Sequence, residues 1–83
     1  MDYTEKVIRQ SNVWYNDGLK KAQMRDMSGA ILSLRQSLQY NGENIAARNL
    51  LGLVYYGQGE VAEALVEWII SKNLQPRENL ANG

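Results

Sequence analysis

An all-α chain built as antiparallel helix hairpins is predicted by three observations on this 83-residue sequence. Apolar residues recur at the helical spacing of i, i+3, i+4 and i+7 in four segments. Glycine, asparagine–glycine and a single proline stand where those segments stop. The sequence is also self-similar. Moving back by one fixed period carries Gly52 onto Gly18, Leu53 onto Leu19, Ala64 onto Ala30 and Ser71 onto Ser37.

The elements follow in order. Asp2 and Glu5 have the spacing of a capping box, in which one side chain caps the helix start and the other reaches back to it. Tyr3, Val7, Ile8, Ser11, Trp14, Tyr15, Gly18 and Ala22 then share one stripe, which predicts a first helix from about residue 3 to about 24. Ser11-Asn12 offers a second cap, and with it two shorter helices as the alternative; the absence of any proline in the stripe favours one long helix. Met24-Arg25-Asp26 reads as a turn, with Asp26 capping a second helix. That helix carries Met27, Ala30, Ile31, Leu34 and Leu38 on its packed face and leaves Ser33, Arg35, Gln36 and Gln39 outside it. Asn41-Gly42 is expected to close it, Gly42 taking the left-handed conformation. A third helix is expected over about 44–56 and a fourth over about 60–73, parted by Gly57–Gly59 and followed by Pro76. Every connection is short, so successive helices are antiparallel neighbours.

Composition removes whole classes of function. Nine basic and nine acidic residues cancel, so no long-range field recruits nucleic acid or an anionic membrane. There is no cysteine and no histidine, hence no disulfide, no thiolate nucleophile and no imidazole base or metal ligand. Glu60, Glu63 and Glu67 share one strip of the fourth helix, but no second cluster completes a metal or acid–base site, and they read as a solvated face. Lys20, Lys21 and Arg25 form a basic cluster too short to mark a phosphate site. The serines have no base beside them in any motif. No enzyme, no metal and no cofactor is expected. No apolar run reaches the roughly 20 residues that span a bilayer, and MDYTEKVIRQ is charged where an export signal is apolar. A cytoplasmic chain without membrane insertion is the expectation.

Leu51-Gly52, Tyr55, Gly59, Ala64, Trp68, Ser71 and Pro76, in that order and spacing, resemble the tetratricopeptide repeat, whose period is about 34 residues. Trp14, Gly18, Ala30, Leu34 and Ser37 carry a second, weaker copy. The two units, about 11–44 and 45–78, cover most of a single domain spanning 1–83. An N-terminal helical extension (2–10) precedes them and a polar tail (79–83) follows. The copies depart from the pattern at Asp17, Lys21, Arg25 and Gly42 in the first unit and at Arg48 in the second. The resemblance implies an α-solenoid of about four helices, in which Gly18 and Gly52 let the helices of a pair approach closely at Ala30 and Ala64. Trp14 and Trp68 read as core fillers.

The resemblance also implies a non-catalytic scaffold that binds a peptide or helix in a groove lined by the first helix of each unit. Here the groove would offer Asn12, Tyr15, Asn16 and Leu19 from the first unit and Asn49, Leu53 and Tyr56 from the second. Tyr15 and Leu19 stand where the family's carboxylate clamp needs Lys and Asn, which argues against a receptor for chaperone tails. The alternative is that these side chains pack only against their own neighbours. A second function class competes with the first: a structural domain that packs against another copy or the rest of a longer protein through the fourth helix, where Leu65, Val66, Ile69 and Ile70 widen the apolar surface beyond what one partner helix needs. A homodimer follows from that reading, whereas a protein or peptide partner follows from the first.

Overall fold

The computed structural model describes residues 3–75. The fold is all-α, with helices α1 (Tyr3–Gln23), α2 (Met27–Tyr40), α3 (Ile45–Gly57) and α4 (Val61–Leu74). α1 packs against α2 and α3 against α4, and the two antiparallel hairpins meet along α2 and α3. Ala30, Leu34, Ala47, Leu51, Val54, Tyr55 and Ala64, contributed by α2, α3 and α4, form the buried core. Asp2, Pro76 and the tail over 79–83 lie outside the described residues, and with them the capping box and the start of any third unit.

α1 is one unbroken helix through Ser11-Asn12. Ser11 does not cap; it is fully buried, and its Oγ donates to the carbonyl of Ser37 at 2.8 Å. The first turns of α1 reach past the packed region, leaving Tyr3 and Ile8 exposed although both belong to its apolar stripe.

Two turns share one backbone. After α1, Asp26 N–H bonds to Lys21 O at 2.8 Å and Arg25 N–H to Ala22 O at 3.0 Å. After α3, Glu60 N–H bonds to Tyr55 O at 2.9 Å and Gly59 N–H to Tyr56 O at 3.0 Å. Both are Schellman closures, which need a left-handed residue one place past the cap. Gly59 takes it at φ 82° and Arg25 at φ 65°. Asp26 then caps α2 through Gly29 N–H at 3.0 Å. Glu60, at the same place before α4, makes no such side-chain bond.

The α2–α3 connection is built differently from the expectation. Gly42 is not left-handed: among the described residues only Arg25 and Gly59 have positive φ. Asn41 is instead extended at φ −146°, and its side-chain oxygen accepts from Glu43 N–H at 3.1 Å, so an Asx-turn replaces the glycine closure.

Close approach is found at Gly18 and Gly52, though mainly against side chains other than the expected alanines. A Cβ on Gly18 would lie 2.7 Å from Leu34 Cγ and 3.3 Å from the Ala30 carbonyl. One on Gly52 would lie 2.7 Å from Trp68 Cδ1. Leu34 in the first hairpin and Trp68 in the second, at equivalent places in the repeat, fill the space over the glycine.

Candidate binding surface

Polar side chains tie the helices together and decide which of them remain open to a ligand. Ser37 Oγ donates to Ser11 O at 2.7 Å, and Asn44 Nδ2 donates to Ser11 Oγ at 2.9 Å and to Asn12 Oδ1 at 3.2 Å. The other end of the same amide, Asn44 Oδ1, caps α3 through Ala47 N–H at 3.1 Å. One buried side chain thus joins α1, α2 and α3.

Ser33, placed outside the packed face by its spacing, is buried, because α1 supplies polar partners for it. Its Oγ donates to Asp17 Oδ2 and accepts from Lys21 Nζ at 3.0 Å, while Lys21 and Asp17 pair at 2.8 Å. The hydrogen bonds from Lys21 and Ser33 hold the Asp17 carboxyl below its ordinary pKa. These contacts explain why the first unit carries Asp17 and Lys21 where the second carries Leu51 and Tyr55. Burial raises the Tyr55 phenol above its usual value.

In the second hairpin, Arg48 Nη1 pairs with Glu67 Oε1 at 2.8 Å while Arg48 Nε donates to Gly42 O. Glu67 is therefore not part of a solvated strip; its side chain is only 15% exposed. Trp14, the counterpart of Arg48 in the first unit, is half-buried, and its Nε1 has no hydrogen-bond partner.

The seven groove residues divide among several environments. Asn12 and Asn16 line a shallow recess of about 480 Å3 along α1 with Ile8, Arg9 and Val13. Tyr15 packs against the core and Leu19 is half-buried. Asn49 accepts from Ser71 Oγ at 2.6 Å, which turns it towards α4. Tyr56 leans on Trp68 with ring centroids 5.9 Å apart, yet stays 58% exposed. Leu53, 61% exposed, forms one wall of a recess of about 440 Å3 with Leu50 and Val54 of α3 and with Ala22, Arg25 and Met27 of the first hairpin.

Apart from Leu53, those lining residues escape a reading based on groove positions, because the recess draws on α1, the first turn, α2 and α3 together. The signal that points to it is the correspondence of Arg25 with Gly59. On α4, Leu65, Val66 and Ile69 are exposed, as their spacing implies, and Ile70 is half-buried.

Among the described residues no three His, Cys, Asp or Glu are grouped to hold a metal, and no helix is long and apolar enough to cross a membrane. Compared with protein-family models and with curated proteins, the sequence matches none.

Proposed function

We propose that this chain is a non-catalytic protein-interaction scaffold of the tetratricopeptide kind, which holds a peptide or helix against the outward face of α3 and the neighbouring part of α1. The observation that carries the reading is α3 itself. It is the most buried element, flanked by α2 and α4, and yet it presents Leu53 and Tyr56 to solvent. Large apolar side chains held on a rigid central helix are the anchors that binding surfaces use. The same turn geometry at equivalent places in the two units supports the family assignment. The non-catalytic part rests on chemistry: Ser11, Ser33, Ser37 and Ser71 all donate within the fold, and the chain holds no cysteine or histidine. Selection of a displayed random-peptide library on the chain tests it, with Leu53→Asp/Tyr56→Ser as the counter-target. Enriched peptides should bind the parent chain and lose most of their affinity for the variant. Peptides that bind both equally, or no enrichment at all, would remove the reading.

A second reading rests on a separate observation. Val61, Leu65, Val66 and Ile69 of α4 are each about half exposed, where the first hairpin has Arg35 and Gln36 in place of Ile69 and Ile70. Such a face suits association with another copy through α4 in a cytoplasmic homodimer. Sedimentation over a wide concentration range, on the parent chain and on Leu65→Lys/Ile69→Lys, decides it: the parent should shift towards dimer and the variant should not.

A further inference from the structure

The one non-glycine residue with a left-handed backbone among those described is Arg25, and it helps to line the recess that Leu50, Leu53, Val54, Ala22 and Met27 also line. A side chain in this conformation is strained, because Cβ crowds the following carbonyl. The equivalent turn of the second unit is made by Gly59, without that strain. Closing the helix therefore does not require arginine. The exposed guanidinium has no ion-pair partner among the described residues, whereas Lys21 and Arg48 are both paired. At about 440 Å3 the recess falls within the roughly 300–1,000 Å3 of pockets that take small ligands. Its lining is mostly aliphatic, with Gln58 as a neutral polar side chain and Arg25 as an unpaired cation.

We infer that this recess takes a branched apolar side chain from a partner peptide that bears a carboxylate one or two residues away, with Arg25 receiving the carboxylate. The inference rests on reading the chain as an interaction scaffold and names the chemistry of one of its contacts. The apolar side chain fills the space beside Leu53 and Val54 and supplies the affinity through burial. A planar guanidinium in the lining favours an acidic neighbour over a neutral one. The contact is exposed, so the charge acts mainly on selectivity and weakens as salt rises.

The test is titration of the methyl-labelled chain with the capped peptide Ac-Ser-Asp-Leu-Leu-Asp-Ser-NH2 and its twin with Asn for Asp, followed by NMR. The acidic peptide should move the methyl signals of Leu50, Leu53 and Val54. The neutral twin should bind more weakly by up to about fivefold, the upper end of the range for an exposed ion pair. Arg25→Gln should lose the same factor for the acidic peptide alone. Arg25→Gly should lose it too while melting at or above the temperature of the parent, since it removes the strained side chain and keeps the turn. Equal affinities for the two peptides, or an Arg25→Gln variant that binds the acidic peptide as the parent does, would overturn the inference. So would the same methyl shifts on concentrating the chain without peptide, which would make the occupant another copy. Library peptides that bind but move signals around Asn12 and Asn16 instead would leave the scaffold reading intact and remove the assignment of this recess.

Discussion

The two hairpins place a glycine, a filling side chain and a turn at matching positions, and hold them with different chemistry. In the first, Leu34 covers Gly18, and the flanks are polar: Ser11 with Ser37 on one side, Asp17, Lys21 and Ser33 on the other. In the second, Trp68 covers Gly52, Leu51 and Tyr55 replace Asp17 and Lys21 with buried apolar surface, and the Arg48–Glu67 pair and the Ser71–Asn49 hydrogen bond supply the polar bridges. The repeat fixes where the backbones approach, and the space between them is filled by whatever pair of side chains fits. Leu34 is wholly buried, whereas Trp68 is half-buried and has solvent on one side into which it can move.

That contrast orders the effects of substitution. Gly18→Leu should be the most damaging, at about 3 kcal/mol by overpacking, because neither Leu34 nor the Ala30 carbonyl can yield. Gly52→Leu should cost about 2 kcal/mol, the Trp68 ring rotating outward from Tyr56. Urea denaturation of both variants gives the order; a larger loss at Gly52 would mean that Trp68, and not Leu34, is the fixed element.

Asn44→Ala comes next, at about 2 kcal/mol, since it removes an N-cap and strips a donor from two buried serines. Its nearest counterpart in the second hairpin, Ser71→Ala, breaks one bond to an exposed Asn49 and should cost about 1 kcal/mol. Equal losses would show that the amide contributes only its cap.

The smallest effect belongs to Asp17. Its folded-state pKa lies below that of the unfolded chain, so its contribution to stability is complete above the ordinary carboxylate range near 4 and disappears as the pH falls through the lowered value. Asp17→Asn should flatten the acid side of the melting temperature against pH and change it little near neutrality. An acid limb unchanged by the substitution would assign that fall to other carboxylates.

Periodicity made the architecture legible. The four helices, the cap at Asp26 and the break at Gly57–Gly59 can each be read from spacing within one segment. What spacing could not convey was pairing across segments. Ser33 looks like a surface residue until Asp17 and Lys21 face it from α1. Glu67 looks solvated until Arg48 reaches it from α3. Asn41-Gly42 carries two turn chemistries, and the asparagine's prevailed. Of the surface residues singled out from the resemblance, Leu53 and Tyr56 are open, while Tyr15 and Asn49 are engaged within the fold. The recess at Arg25 was hidden because its walls come from separate parts of the chain.

The Asn44 amide has a consequence for how the molecule opens. Stacked helical repeats can open one unit at a time when the interface between neighbours is weak. Here the carbonyl end of the side chain holds the first turn of α3 while its nitrogen holds α1, and the residue is nine-tenths buried between them. Separating the hairpins therefore strands the Asn44 amide donor on one side and takes it from Ser11 and Ser37 on the other. Amide protons at the start of α3 and along the middle of α1 should consequently exchange with solvent at one common free energy, as a single cooperative unit. Those at the exposed end of α4, beyond the reach of this clasp, should exchange by local fraying.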